Sequence, residues 1–351
     1  ENGEEILSDI VILTTGTYLK ADVLVGDKRT SSGPHGEKPA KNLSDNLRKL
    51  GLTIQRLKTG TPQRIAKDSI DYTSLEREDG DKIYFDDYNK NLYAKLSEDN
   101  KNDYNKGSGG EIRDTTTRRA PMKAAFSSSA IVVNLHQYWQ KKNNISPLLE
   151  ALGFMNNKVE KKGIVFEFES KNPIKGIGGY PPHLDVVITT DTNNFAIESK
   201  FTEPYIDGSN KNSEIQDSYT KKSLWKEIPN IEKLAQAIHD ENHHVENCEI
   251  KESIDNLRKT KHLDASQLIK HILGLKSNYD KNFTLLYLWY DVPGTEEAKE
   301  HQEEIEAFAS IAKADGINFR HITYQEVIFN LKENYYDEHK DYIDYLVERY
   351  L

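Results

Sequence analysis

Residues 180–205 read YPPHLDVVITTDTNNFAIESKFTEPY, two apolar runs joined by a polar turn. Asp191, Asn193 and Asn194 are turn formers, so 184–189 and 195–201 read as the strands of a hairpin. Pairing centred on the turn puts Thr190 opposite Phe195, Val187 opposite Glu198 and Asp185 opposite Lys200. Side chains alternate faces along a strand, so Asp185, Glu198 and Lys200 share one face. Leu184, Val186, Ile188, Ile197 and Phe201 take the other face, free to pack under helices. The spacing is D-x12-E-x-K. Hard divalent cations such as Mg²⁺ (or Mn²⁺) want oxygen ligands, and Asp185, Glu198 and the backbone carbonyl of Ser199 supply them. A metal held there would activate water and polarise a phosphate, with Lys200 beside it to orient the nucleophile or offset charge. The competing reading is a half-exposed strand with ordinary charges, since the bare pattern arises by chance.

Around this hairpin the chain alternates strand and helix signals. A helix is expected from Met122 to Gln140, and a short one in PLLEALGF with Ser146 as cap and Pro147 at its first position. Strands are expected at Gly163–Glu169, Leu184–Thr189, Phe195–Phe201, Phe283–Tyr290 and Asn318–Thr323. Helices are expected at Ile231–Asp240, Ala265–Lys276 and Glu296–Lys313, with a helical C-terminal region. The fold class is α/β, an α+β mixed sheet flanked by helices. Residues 66–120 read as polar linker and loop with short helical pieces. Before them, strands at Ile10–Thr14, Val23–Val25 and Thr53–Leu57 enclose a helix at Leu43–Leu50 capped by Ser44 or Asn42.

The bulk numbers are compatible with this reading. The 351 residues suffice for two domains, and 36% hydrophobic content with 19 Tyr and 11 Phe supports a core. The formal charge of −10 argues weakly against non-specific coating of nucleic acid but does not exclude a nuclease with local Lys and Arg. Cys248 is the single cysteine, so no disulfide framework arises within the chain, and a cytoplasmic location is expected. No apolar run approaches 18 residues, so no membrane partner is expected.

The string PPHLDVVI…FAIESKFTEPY resembles the PD-(D/E)XK nuclease superfamily, and more narrowly a bacterial family of restriction-endonuclease-like proteins. The likeness extends to GSGGE (107–111), PMKAAFSSSAIVVNLHQYW (121–139), LDASQLIKHILGL (263–275) and FTLLYLWYDVPG (283–294). It implies an α-β-β-β-α-β core with Asp185, Glu198 and Lys200 catalytic, although Leu184 replaces the proline of the Pro-Asp dipeptide. It also implies a Gln267 near the site and a first-helix carboxylate, Glu111, with Glu150 as competitor. Gln267, Lys270 and His271 are spaced to share one helix face, against which stands the ordinary reading of a solvated face. Arg118, Arg119 and Lys123, with Lys270, suit contacts to nucleic-acid phosphates, a solvated loop being the equal alternative. The expectation is a nuclease, an endonuclease hydrolysing DNA phosphodiesters with Mg²⁺. Cutting both strands of a duplex would favour a homodimer.

Residues 7–81 resemble an interior stretch of the FAD-binding tRNA uridine-modification family called GidA or MnmG. DIVILTTGTYLKADVLVG, RLKTGTPQRI and SIDYTSLEREDGD carry the likeness, which implies flavin-proximal positions at Thr15 and Gly16 and a nucleotide-facing Arg56–Pro62. No G-x-G-x-x-G is present to cradle an FAD pyrophosphate, and the family's functional cysteine has no counterpart. The expected division is therefore a non-functional fragment over 1–82 and a nuclease-like domain over 83–351. A flavin-linked tRNA-modification relative, or a non-catalytic nucleic-acid-binding module keeping the nuclease fold, is the alternative.

Overall fold

The computed structural model describes residues 18–25, 28–33, 38–51, 75–77, 83–107, 110–154, 164–206, 211–240, 242–246 and 248–351. The expected strands Ile10–Thr14 and Thr53–Leu57, together with Thr15, Gly16 and Arg56–Pro62, lie outside these residues. The chain divides into two compact units, Glu1–Ile70 and Asp71–Leu351.

In the first unit, β1 (Val23–Val25) pairs antiparallel with β2 (Lys28–Thr30), and α1 spans Leu43–Lys49. Asn42 is the N-cap of α1 but its side chain makes no capping bond. Asp45 in the first turn and Arg48 and Lys49 in the last suit the helix dipole. Lys20 reaches Asp45 at 3.1 Å across solvent-exposed surface.

The second unit is built on a five-stranded sheet of β5 (Val165–Lys171), β6 (His183–Thr189), β7 (Asn194–Lys200), β8 (Phe283–Trp289) and β9 (Phe319–Thr323), in that order. The first three strands are antiparallel; β7, β8 and β9 run parallel. Parallel neighbours need crossovers, and α7 (Ala265–Tyr279) and α8 (Glu296–Ala314) provide them. A two-stranded ribbon, β3 (Leu75–Arg77) with β4 (Ile83–Phe85), and α2 (Glu98–Lys106) precede the sheet. The polar run expected to be linker and loop with short helical pieces holds such a piece in α2, with Ser97 capping it through Asn100 N–H at 3.2 Å.

Helices cover both faces, which is why β8, FTLLYLW, is buried along its whole length. On one face α5 (Pro229–His239), α6 (Lys251–Leu257), α7 and α8 bring Leu234, Ile254, Leu268 and Phe308 against Val187, Ala196 and Leu285. On the other, α3 (Ser128–His136), α4 (Ser146–Ala151) and α9 (Tyr324–Tyr350) bring Ile131, Leu148 and Leu346 against Val186, Ile188 and Ile197. Leu184 departs from the expected face and joins the first core, at the end where the β6–β7 ladder opens. The helix expected over 122–140 is α3 between two 3-10 turns, because Ser127 caps it through Ala130 N–H. Ser146 is not a cap but the first residue of α4; Ile145 precedes it.

Gly274 of α7 sits where helix and sheet margin nearly touch: a Cβ there would fall 2.5 Å from the backbone oxygen of Asn172. The end of α9 returns to α3, where Asn134 Nδ2 donates to Tyr350 Oη (2.7 Å) and Tyr342 Oη donates to the Leu135 carbonyl (2.8 Å). Among the described residues no helix is long and apolar enough to cross a membrane.

Candidate functional site

The hairpin turn is closed by Thr190, whose N–H donates to Asn193 O at 3.0 Å and whose Oγ1 accepts from Asn193 N at 3.1 Å. This tight closure pairs Thr189 with Asn194 and Val187 with Ala196. The register is therefore shifted from the expected Thr190–Phe195 and Val187–Glu198 pairs, and extending it puts Glu198 rather than Lys200 opposite Asp185. The shift is an even number of residues, so facing is preserved. The opened end of the ladder is closed by a side chain, Asp185 Oδ2 accepting from Ser199 N at 2.7 Å.

Continued across β5, the same registers align Glu169, Asp185 and Glu198 side by side on three neighbouring strands. Like charges set opposite one another repel, and burial sharpens the effect. The structure balances the row from β7 and α7. Lys200 Nζ donates to Glu198 Oε1 at 2.6 Å and to Gln267 Oε1 at 2.9 Å. His271 Nε2 lies 3.0 Å from Glu198 Oε2, within ion-pair distance. Glu198 and His271 are 2% and 1% exposed, Lys200 19%.

The carboxyls separate in acidity accordingly. Burial alone would raise Glu198, but Lys200 and His271 outweigh it and hold the group down at about 2. Asp185 is pushed well above the usual range by burial and by the Glu198 charge. Burial works against the Lys200 charge, yet Glu198 and Asp185 hold it above the ordinary lysine range. Glu169 is raised to about 7 by burial and by the charges of Glu111 and Glu198. The centre thus offers a fixed cation at Lys200 and, at Glu169, a carboxyl able to exchange a proton near neutrality. Sequence reading missed Glu169. It stands in β5 with φ 50°, in the left-handed region, an unusual backbone setting for a strand residue. Gly107 leaves it room, since a Cβ there would lie 3.0 Å from Glu169 Oε2.

The other expected residues are placed as follows. Glu111 accepts from Ser129 Oγ at 2.5 Å and lies near enough to raise Glu169; Glu150 instead accepts from Tyr335 Oη. Ser199 Oγ bonds Tyr324 Oη at 2.6 Å, tying β7 to the start of α9. Lys270 is turned away from the centre, to Ser213 Oγ (3.0 Å) and the Glu214 carbonyl (2.9 Å). Lys123 pairs with Asp114 at 2.6 Å, and the Arg119 guanidinium lies 5.7 Å from the Tyr84 ring centroid. Arg113, Arg118, Arg119 and Lys123 thus fall within one 11-residue stretch of the second unit.

Comparison with known proteins points away from nuclease chemistry. The family described as "Glucose inhibited division protein A" matches residues 1–130. The chain is 48% identical over 84 residues to the tRNA uridine 5-carboxymethylaminomethyl modification enzyme MnmG of Acholeplasma laidlawii, covering 24% of this chain and 14% of that protein. To the same-named enzyme of Mycoplasmopsis synoviae it is 50% identical over 76 residues, 22% of this chain and 12% of that protein. To that of Streptococcus pneumoniae serotype 2 it is 39% identical over 126 residues, 34% of this chain and 19% of that protein. The chain therefore spans between 12% and 19% of the length of these relatives. No solved structure matches it.

These findings overturn the expectation of an endonuclease hydrolysing DNA: the matched relatives are named tRNA uridine modification enzymes. DNA as partner falls with it, and with DNA the duplex-cutting ground for expecting a homodimer. Mg²⁺ or Mn²⁺ as defining cofactor is overturned likewise, the matched relatives being named as tRNA uridine modification enzymes. The geometry gives a physical reason. Glu198 Oε1 and Oε2 face Lys200 and His271, Asp185 Oδ2 accepts from the Ser199 N–H, and among the described residues no three His, Cys, Asp or Glu side chains are grouped to hold a metal ion.

Proposed function

We propose that this chain serves in tRNA uridine modification, as a relative of the flavin-linked enzymes that contacts tRNA. The supporting observation is the 39–50% identity to enzymes of that name over 76–126 residues. The second unit, in this reading, uses the restriction-endonuclease-like α-β-β-β-α-β framework as a scaffold for RNA contact. Arg118, Arg119 and Lys123, inside the matched residues 1–130, are its phosphate-contacting side chains. Asp185, Glu198, Lys200 and Gln267, with Glu111 and Glu169 alongside, form its working centre. The residues present do not fit a bound FAD, because no G-x-G-x-x-G occurs in the 351 residues.

The test is a gel-shift titration of unmodified tRNA with the full chain at several salt concentrations. Salt-dependent binding is expected. Replacing Arg118, Arg119 and Lys123 with alanine should flatten the salt slope by roughly 0.7–0.9 per lost contact. Absence of tRNA binding at low salt, or an unchanged slope in the triple variant, overturns the reading.

A further inference from the structure

His301, a fully buried residue of α8, meets the strand partners of the charged pair. Glu198 and Lys200 on β7 stand level with Tyr287 and Trp289 on the parallel neighbour β8, so the four side chains leave the sheet on one face. His301 Nε2 lies 3.0 Å from Tyr287 Oη, and its ring packs at a steep angle against Trp289, 4.7 Å between centroids. Its Nδ1 lies 3.3 Å from Tyr205 Oη, in the turn Glu203–Tyr205 that follows β7. The field of the centre reaches this cluster. Burial first, then the Glu198 charge, raises the Tyr287 hydroxyl.

The supply of protons fixes the state of the ring. Tyr205 has one hydroxyl proton and donates it to the Tyr290 carbonyl at 3.0 Å. Its oxygen can then only accept from His301, so Nδ1 carries the hydrogen. A second ring proton is opposed by burial and by the charges of His262 and Lys200, which together bring His301 down to about 3. Nε2 is therefore bare and accepts from Tyr287 Oη. The Tyr290 N–H in turn donates to the Lys200 carbonyl at 2.9 Å. One neutral tautomer thus ties together the strand end that carries Lys200, the turn beyond it and the strand beside it. His262 cannot stand in for it, because its Nδ1 lies 2.8 Å from the Pro204 carbonyl and its Nε2 lies 3.3 Å from Glu300 Oε2.

We propose that His301, as the neutral Nδ1–H tautomer, is a positioning residue of the charged centre, holding β8 and the turn after β7 so that Lys200 stays on Glu198. It acts through Tyr287, Tyr205 and the Tyr290 backbone. An apolar ring in its place would fill the space but leave Tyr287 without an acceptor and Tyr205 without a donor. The role rests on reading Asp185, Glu198 and Lys200 as the working centre.

Nitrogen NMR of the full chain, isotope-labelled at histidine, tests the tautomer. The His301 ring should show a protonated Nδ1 and a bare Nε2 throughout about pH 5–8. An Nε2–H tautomer, or a ring that gains a proton within that range, overturns the proposal. Amine acylation by a succinimidyl ester, read by mass spectrometry with Lys20 as the reference amine, tests the positioning. His301→Phe should raise Lys200 labelling relative to Lys20 by about three- to tenfold, the equivalent of one lost hydrogen bond. His301→Gln keeps a donor and an acceptor and should return labelling to within about twofold of the wild type. Unchanged labelling in His301→Phe, or equal labelling in the two variants, overturns the proposal. Should His301→Phe not fold, the wild-type ring spectrum decides. Gel shift of tRNA on the same preparations separates the two readings. A labelling change without tRNA binding keeps the role of His301 and overturns the tRNA reading, whereas tRNA binding with unchanged labelling does the reverse.

Discussion

The two units each join a lysine to a carboxylate, and the two pairs are physically unlike. In the first unit Lys20 and Asp45 meet at 3.1 Å with side chains 46% and 48% exposed. In the second, Lys200 and Glu198 meet at 2.6 Å with exposures of 19% and 2%. Water screens the first pair and could replace either partner. It reaches Glu198 hardly at all, so Lys200, with His271 beside it, must hold the Glu198 charge within the buried row. Distance alone would rank these pairs close together. Burial, and the neighbours each pair must balance, set them apart.

The sharpest way to break this contrast is Lys200→Met. It leaves Glu198 buried beside Asp185 without its cation, and should cost about 3–5 kcal/mol in urea unfolding. A loss below about 1 kcal/mol would put the pair in the surface class.

Glu169→Gln probes the same row through pH. The Glu169 pKa in the folded chain is raised from 4.5 to about 7, so folding favours its protonated form. Its contribution is fully present below pH 4.5 and is lost as pH rises through about 7. A rise of that size corresponds to roughly 3 kcal/mol. The glutamine variant should lack that decline and be the more stable protein at pH 8; parallel stability–pH curves would show Glu169 to be an ordinary carboxylate.

Gly274→Ala asks whether the helix carrying Gln267 and His271 can retreat from the sheet margin. The obstacle is backbone, Asn172 O, so a loss of about 1–3 kcal/mol is expected by thermal melting. Lys20→Met completes the series. No measurable change in the urea midpoint is expected, and a clear drop would erase the contrast between the units.

Much of the sheet was legible because period-two patterning and turn chemistry are local. HLDVVIT and FAIESK read correctly as paired strands, and parity survived the register shift. The shift itself was not legible, because it depends on Thr190 folding inward to close the turn. Glu169 was invisible for a different reason. Residues 172–182 separate β5 from β6, and no count along such a connection reveals which residues stand opposite. His271 could be placed on the right helix, but its approach to Glu198 is a packing outcome. The functional expectation fails because a three-residue pattern recurs by chance, whereas the identity near the amino end runs over 76–126 residues.

The bond from Asn134 to Tyr350 has a consequence for how the protein is made. The two residues are 216 positions apart, yet α3 and the end of α9 share one core. While the chain is being synthesised, α3 leaves the ribosome with eight consecutive buried-type residues, Ser129–His136, and no partner for much of its surface. Part of its cover arrives with β6 and β7, but the part supplied by the end of α9 comes only after some two hundred further residues have been added, a wait of tens of seconds at roughly 5–20 residues per second. Over that interval the nascent chain exposes an apolar helix, which makes it a natural client for chaperones that hold emerging polypeptides.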